Sequence, residues 1–324
     1  MNIPHFFVYC LVFAVLFFGH VAAAEEPNTA ETKPYAVVTV CVANMREAPR
    51  HAAEMATQCL LGTPLQVRER RSGWSAVTTP GGYDCWVTSG SIVSMTKAEF
   101  NRWIEAPKVI YLKNYGMARL APSEDAAIVS DLTAGCVAVR EKEDGRYVTI
   151  RFPDGRTASI LSADCTDFET WKRETKPTAE GVLEKAFELM GVSYLWGGTS
   201  PKMLDCSGLT QHCFFMNGVI IPRNSSQQAK VGLSIDFSEG FDRLEKGDLV
   251  FFGSQRVTHV GIYVENGLYI HESGRVQLNS FISGNEHYNR SLATSLLGVR
   301  RFIGATEAPE IVPVAEHPLY QLQP

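Results

Sequence analysis

Between Tyr35 and Ala163 turn residues interrupt the chain so often that only short strands can form, which limits this half to small β-architectures. The runs AVVTVCV, PLQVRER and WSAVTT lead through Pro80-Gly81-Gly82 into YDCWVTSGSIVSM, ending at Met95. From Val109 the plan recurs as VIYLK, GMARLA, AAIVSDL and GCVAVREK, then RYVTIRF between turns at Glu143-Asp144-Gly145 and Pro153-Asp154-Gly155, and finally RTASIL. Strands this short predict small all-β barrels. Two similar stretches predict two tandem copies of one module, over 35–95 and 108–170. Between them MTKAEFNRWIEAP spaces Phe100, Trp103 and Ile104 helically and stops at Pro107, predicting a linker helix over 96–107.

After Lys176-Pro177-Thr178 the texture changes. AEGVLEKAFELMG puts Val182, Leu183, Ala186, Leu189 and Met190 on one helical face, with Gly191 as its stop. YLWGGTSPKMLD, a helix CSGLTQHCFFMNG, the loop IPRNSSQQA and strands DLVFFG, HVGIYV, LYIHESG and GVRRFIG follow. Helices ahead of an antiparallel sheet predict an α+β domain over 177–303. The proline-rich tail, 304–324, is expected to hold little structure of its own.

Hydrophobic residues at 45% and charged residues at 20% are the balance of a folded globular chain. Thirty Lys and Arg against 35 Asp and Glu give a net charge of −5, and the longest basic block is Arg68 to Arg71. No concentrated positive face is available, which argues against nucleic acid as a partner. Residues 1–24 lack any Asp, Glu, Lys or Arg, and an apolar run over 6–18 precedes Ala22 and Ala24. This reads as a signal peptide with a mature start near Glu25, hence an exported protein, periplasmic or at the cell envelope, with no stable membrane insertion after cleavage. A retained anchor is the alternative, but the run falls short of the ~20 residues a span needs. Removal of the leader leaves seven cysteines, an odd number, so at least one thiol stays unpaired. Cys136 could bridge Cys165, as could two of Cys41, Cys59 and Cys85; buried reduced thiols fit these five equally well.

Asp205-Cys206-Ser207-Gly208 opens the second helix, with Asp205 as N-cap and Cys206 in the first turn, where backbone N–H groups favour a thiolate. Cys213, two turns on, reads as core. A nucleophilic thiol needs a base, and the base needs a partner to hold its ring. His259 opens the strand HVGIYV and His271 lies in the next strand, with Glu265-Asn266-Gly267 between them. A three-residue loop with Gly267 left-handed pairs Val264 with Leu268 and Gly261 with His271, setting both histidines on one face ~7–8 Å apart at the backbone. A strict two-residue Asn266-Gly267 turn would put them on opposite faces. A metal site built from Cys206, His212, Cys213 and these histidines lacks any C-x-x-C or H-E-x-x-H spacing, so no metal and no cofactor are expected.

YLWGGTSPKMLDCSGL, IPRNSSQQA, GDLVFFG and HVGIYVENGLYIHESG together resemble the NlpC-type cell-wall cysteine peptidases, circularised relatives of the papain fold. NMREAPRHAAEMATQCLLGTPLQVRERRSGWSAV with GGYDCW resembles the first of two bacterial SH3-like modules in one branch of them. That resemblance implies cleavage of the bond between γ-D-glutamate and a diamino acid, lysine or diaminopimelate, in stem peptides with a free N-terminal L-alanine. The released dipeptide would feed cell-wall turnover or recycling, and muropeptides would be the partners. It implies Cys206 as nucleophile, His259 as base and His271 as the third polar residue. Tyr194, Asp205, Ser207 and Ser225 would surround the dipeptide, while Glu54 and Tyr83 of the first module would hold the free amine, with Glu47 as an alternative to Glu54. The chain departs from the pattern at Asn224, often acidic in the family, and at Cys85, often Gly. Two other functions remain open: a non-catalytic peptidoglycan-binding protein, and an acyltransferase or amidase on the same fold.

Overall fold

The structure, a computed structural model, describes residues 32–305 and 308–324, so the leader expected over 1–24 lies outside the described residues. The turn-bounded runs of the first half all become strands. β1 (Tyr35–Val38), β2 (Val42–Arg46), β3 (Met55–Leu60), β4 (Pro64–Arg71), β5 (Trp74–Thr78), β6 (Asp84–Thr88) and β7 (Ile92–Met95) form one antiparallel sheet in the order β3-β2-β6-β5-β4-β1-β7. α1 (Lys97–Glu105) follows, its start fixed by a capping box between Thr96 and Glu99. Then β8 (Lys108–Tyr111), β9 (Gly116–Arg119), β10 (Ile128–Leu132), β11 (Val137–Asp144), β12 (Tyr147–Arg151), β13 (Thr157–Leu161) and β14 (Cys165–Asp167) form a second sheet. Its order, β10-β9-β13-β12-β11-β8-β14, repeats the first strand for strand. Even a bulge recurs, between Val67 and Glu69 in β4 and between Arg140 and Lys142 in β11, where the extra residue bends each long strand. α1 buries Phe100 and Trp103 against Val37 of one sheet and Val139 of the other.

The second half packs helices on an antiparallel sheet. α2 (Phe168–Glu174) and α3 (Ala179–Phe187) lead to a small hairpin, β15 (Thr199–Ser200) and β16 (Met203–Leu204), and then to α4 (Cys206–Phe215). β17 (Val219–Ile220), α5 (Ser225–Gln228), β18 (Leu233–Ser234), β19 (Leu249–Gly253), β20 (Val257–Glu265), β21 (Leu268–Ser273), β22 (Arg275–Ser280), α6 (Arg290–Ala293) and β23 (Leu296–Arg301) complete it. The sheet order is β18-β23-β19-β20-β21-β22. α4 is enclosed almost all round, with Leu209, Cys213 and Phe214 packed with Val260, Ile262 and Ile270. A helix without a polar face belongs in a core. Gly208 permits its tightest contact, since a Cβ there would stand 1.9 Å from the Gly198 carbonyl oxygen.

The segment after β23 corrects the expectation of an unstructured tail over 304–324. β24 (Val312–Pro313) pairs with β17, Leu319 and Tyr320 are buried, and Tyr320 packs against Phe168. Beyond them His317 Nε2 meets the Pro80 carbonyl at 2.9 Å, and Gln323 exchanges two hydrogen bonds with Asn101 of α1 at 3.0 and 2.9 Å. Proline content tells against a long helix, not against order. This one gains its order by docking its apolar residues on surfaces far away in sequence. Among the described residues no helix is long and apolar enough to cross a membrane.

Candidate active site

β20 and β21 carry the two imidazoles, and the turn between them differs from the expected three-residue loop. Glu265 pairs with Leu268, and Asn266 and Gly267 have φ of 51° and 76°, the two-residue type I′ arrangement. That turn alone would separate the histidines. A bulge at Val264, between the Tyr263–Tyr269 and Glu265–Leu268 pairs, adds one residue and restores Gly261 opposite His271. His259 and His271 therefore share a face, with His259 Nε2 2.8 Å from His271 Nδ1. Gly261 leaves the room for this, because a Cβ there would lie 3.1 Å from the His271 Cβ.

β22 contributes Asn279, which the sequence reading missed. Its Oδ1 is 2.9 Å from His271 Nε2. The amide can point only one way, because Nδ2 donates to the carbonyls of Leu278 (2.8 Å) and His287 (3.3 Å), while Oδ1 also accepts from Asn289 Nδ2 (3.0 Å). His271 must then carry its proton on Nε2 and offer Nδ1 as an acceptor. His259 in turn donates from Nε2, which leaves its Nδ1 lone pair free. The tautomer of the outer ring is thus set two residues away. Burial, with His271 adding to it, lowers His259 to about 3. Burial likewise lowers His271 to about 4, against the pull of Asn279. Both rings rest neutral.

Cys206 opens α4, and Asp205 caps the helix by accepting from the Gly208 N–H at 2.7 Å. The backbone N–H groups of Val260 and Ser207 bear on the Cys206 sulfur, which places it against the His259–Val260 peptide. The expected lowering of the thiol pKa is opposed there. Burial first and the Asp205 charge second push the thiol up to about 12, outweighing those N–H groups and Arg223.

A cleft of about 410 Å³ opens over Cys206. On the first β-module it is walled by Glu47, Glu54 and Tyr83; on the other side stand Trp196, Asp205, Ser207 and Ser225. Tyr194 does not line it, but lies close enough to Cys206 and Asp205 that, after burial, their charges help raise its phenol to about 12. Of the two candidate glutamates, Glu47 takes the hydrogen bond from the Tyr83 hydroxyl at 3.0 Å. Burial, then Glu47, raise the Tyr83 phenol, while Asn224 works against them. The departure at Asn224 therefore sits beside Tyr83. Arg223 was also missed. Its side chain is 2% exposed and donates to both oxygens of Asp205 (3.0 and 2.5 Å), to Ser207 Oγ (2.8 Å) and to Thr57 Oγ1 of the first module (2.9 Å). With Gly197 and Gly208 also donating, the Asp205 carboxylate is saturated by protein groups. The signal for Arg223 was its place in IPRNSSQQA, a loop that must cross the mouth of α4. Among the described residues no group of three or more His, Cys, Asp or Glu could hold a metal ion.

Comparison with known proteins matches residues 191–301 to the NlpC/P60 family and residues 45–92 to the bacterial dipeptidyl-peptidase SH3 domain. A gamma-D-glutamyl-L-lysine dipeptidyl-peptidase of Bacillus cereus is 28% identical over 233 residues, 68% of this chain and 68% of that one. Dipeptidyl-peptidase 6 of Lysinibacillus sphaericus is 26% identical over 274 residues, 82% of this chain and 98% of the relative. The crystal structure of an NlpC/P60 family protein from Bacillus cereus shares the fold with a TM-score of 0.71 at 23% identity, covering 83% of this chain and 99% of that one.

Proposed function

Starting from a cysteine peptidase with an NlpC/P60 domain behind a dipeptidyl-peptidase SH3 domain, we propose that this chain cuts the bond between γ-D-glutamate and a diamino acid in peptidoglycan stem peptides with a free N-terminal L-alanine. The observation that carries this reading is the wall of Glu47, Glu54 and Tyr83 across the cleft of Cys206. Two carboxylates and a phenol suit an ammonium, and a closed end excludes a peptide still joined to its glycan. Export to the cell envelope and a part in cell-wall recycling belong to the same reading.

In this mechanism Cys206 is the nucleophile. As its sulfur bonds to the γ-glutamyl carbonyl carbon, the thiol proton passes to His259 Nδ1, the nitrogen that the relay through His271 and Asn279 leaves free. The charge that develops on the imidazole is stabilised along that relay. The Cys206 backbone N–H serves the oxyanion. His259 then protonates the departing amine, and water, deprotonated by the same ring, releases L-Ala-γ-D-Glu from the thioester. Arg223 and the saturated Asp205 hold the floor of the dipeptide site, with Ser207 and Ser225 around it.

The test is mass spectrometry of L-Ala-γ-D-Glu-L-Lys, its diaminopimelate counterpart and N-acetylated twins after incubation with the protein, with Cys206→Ala as control. Dipeptide release from the free-amine peptides alone is the expected result. Equal cleavage of the acetylated twins would remove the amine role from Glu47, Glu54 and Tyr83, and no cleavage of any would remove the peptide substrate itself.

A further inference from the structure

Where the two β-modules meet, the backbone is unusually close. The Leu61 N–H donates to the Cys41 carbonyl at 3.1 Å, and the Val137 N–H donates to the Leu61 carbonyl at 2.9 Å. A Cβ on Gly62 would stand 2.1 Å from the Val137 carbonyl oxygen, and with φ of 80° this position suits glycine alone. On this seam the first module presents Cys41, just before β2, and the second presents Cys136, just before β11. Their sulfurs are 4.0 Å apart, and both residues are buried. This pairing crosses the modules, unlike either pairing expected from the sequence. The other thiols have different surroundings: Cys165 faces the Leu161 and Ser162 carbonyls, Cys59 and Cys85 lie in the core of the first module, and Cys213 is in that of the peptidase domain. All seven described cysteines are reduced in this structure.

We propose that Cys41 and Cys136 are a disulfide-forming pair that staples the two β-modules together in an oxidising compartment. Closing the bond brings the sulfurs from 4.0 Å to about 2.05 Å. A third element also reaches the pair in the folded protein. Lys202, from the β15–β16 hairpin of the peptidase domain, reaches Cys41 while paired with Asp131 of β10. Cys136 first, and the Lys202 ammonium after it, hold the Cys41 thiol below its ordinary value despite burial, whereas burial holds Cys136 well above.

The oxidant is a protein or low-molecular-weight disulfide that meets the pair before the seam closes in folding. One cysteine of the pair, as its thiolate, attacks one sulfur of that disulfide, forming a mixed disulfide and expelling a thiolate. The other gives its proton to the expelled thiolate and attacks the first cysteine's sulfur, so the second group leaves as a thiolate and takes a proton from water. Two protein thiols are oxidised and one external disulfide is reduced to two thiols. The new link closes a long stretch of chain, removing freedom chiefly from the unfolded state.

The experiment uses the full chain, secreted into the periplasm of an expression host or refolded with oxidised glutathione. The protein is denatured, alkylated with N-ethylmaleimide with and without prior reduction, and weighed intact, and its peptides are mapped. The expected result is two fewer adducts without reduction and a linked peptide pair holding Cys41 and Cys136. Reduction should lower the Tm of the wild type by roughly 5–10 °C and leave Cys41→Ser and Cys136→Ser unmoved. Full alkylation without reduction, or a link between other cysteines, would overturn the proposal, and the wild-type mapping decides this even if a variant fails to fold.

Discussion

Asn279→Ala removes the acceptor that orders the imidazole relay while leaving both histidines in place. His271 is fully buried, so its Nε2–H would lose the partner it has among the described residues, at a cost of about 1–3 kcal/mol. The ring can avoid that by moving the proton to Nδ1, but Nδ1–H would then face the Nε2–H of His259 at 2.8 Å. His259 would have to shift its own proton to Nδ1, and the base would be gone. Returning to the productive tautomers costs the same ~1–3 kcal/mol, which lowers kcat/KM roughly 5- to 150-fold. Asn289→Ala removes one donor to Asn279 but leaves the acceptor for His271, so its loss should stay under about tenfold. The assay is the initial rate of dipeptide release across pH, with a thermal melt of each variant. An Asn279→Ala protein that melts like the wild type and keeps kcat/KM within about twofold would refute the relay.

Other expectations concern buried charge. Glu272 is fully buried with both oxygens unpartnered, and burial, with Asp205 behind it, raises it to about 8. The folded protein binds the extra proton between the unfolded value, about 4.3, and about 8, so this stability is present at low pH and lost as pH rises through that window. Glu272→Gln should raise Tm near pH 9 and leave it unchanged near pH 4; equal gains at both would count against this account. His212, buried and lowered by that burial to about 3, behaves oppositely. Its contribution is full above about 6.5 and falls with acid down to about 3, by up to about 1.4 kcal/mol per pH unit, so His212→Leu should flatten the acid limb of a urea-stability profile. Arg223→Ala leaves Asp205 buried and uncompensated and should cost about 3–5 kcal/mol in urea unfolding; a loss below about 1 kcal/mol would show that the pair is better hydrated than its burial implies.

What could be read in the sequence were features carried by neighbours in the chain. Turn residues and short β-runs mark the two β-modules, Thr96 and Glu99 start α1, and Asp205 caps α4. The shared face of His259 and His271 was legible for an incomplete reason, since Asn266-Gly267 makes the two-residue turn and the bulge at Val264 corrects the register. Nothing in the alternation of that strand announces a bulge. Asn279 was within reach, because Ser273 pairs with Arg275 around Gly274 and period two then puts residue 279 on the face of His271. The contact of Arg223 with Asp205, the raised thiol of Cys206 and the docking of residues 312–323 were not. Each depends on how deeply groups are buried by elements far away along the chain.

That docking also has a consequence in time. His317 holds the carbonyl of Pro80, in the turn that leads to Tyr83, and Gln323 clasps Asn101 of the linker helix. A chain made from its N-terminus has synthesised both β-modules, the Cys206 helix and the histidine hairpin before residues 317–323 are added. The turn that leads to Tyr83 can therefore be braced only after the Cys206 helix and the histidine hairpin have been made. On the proposed function, the amine-holding wall is thus completed by the last stretch of chain described, long after the residues of the proposed relay.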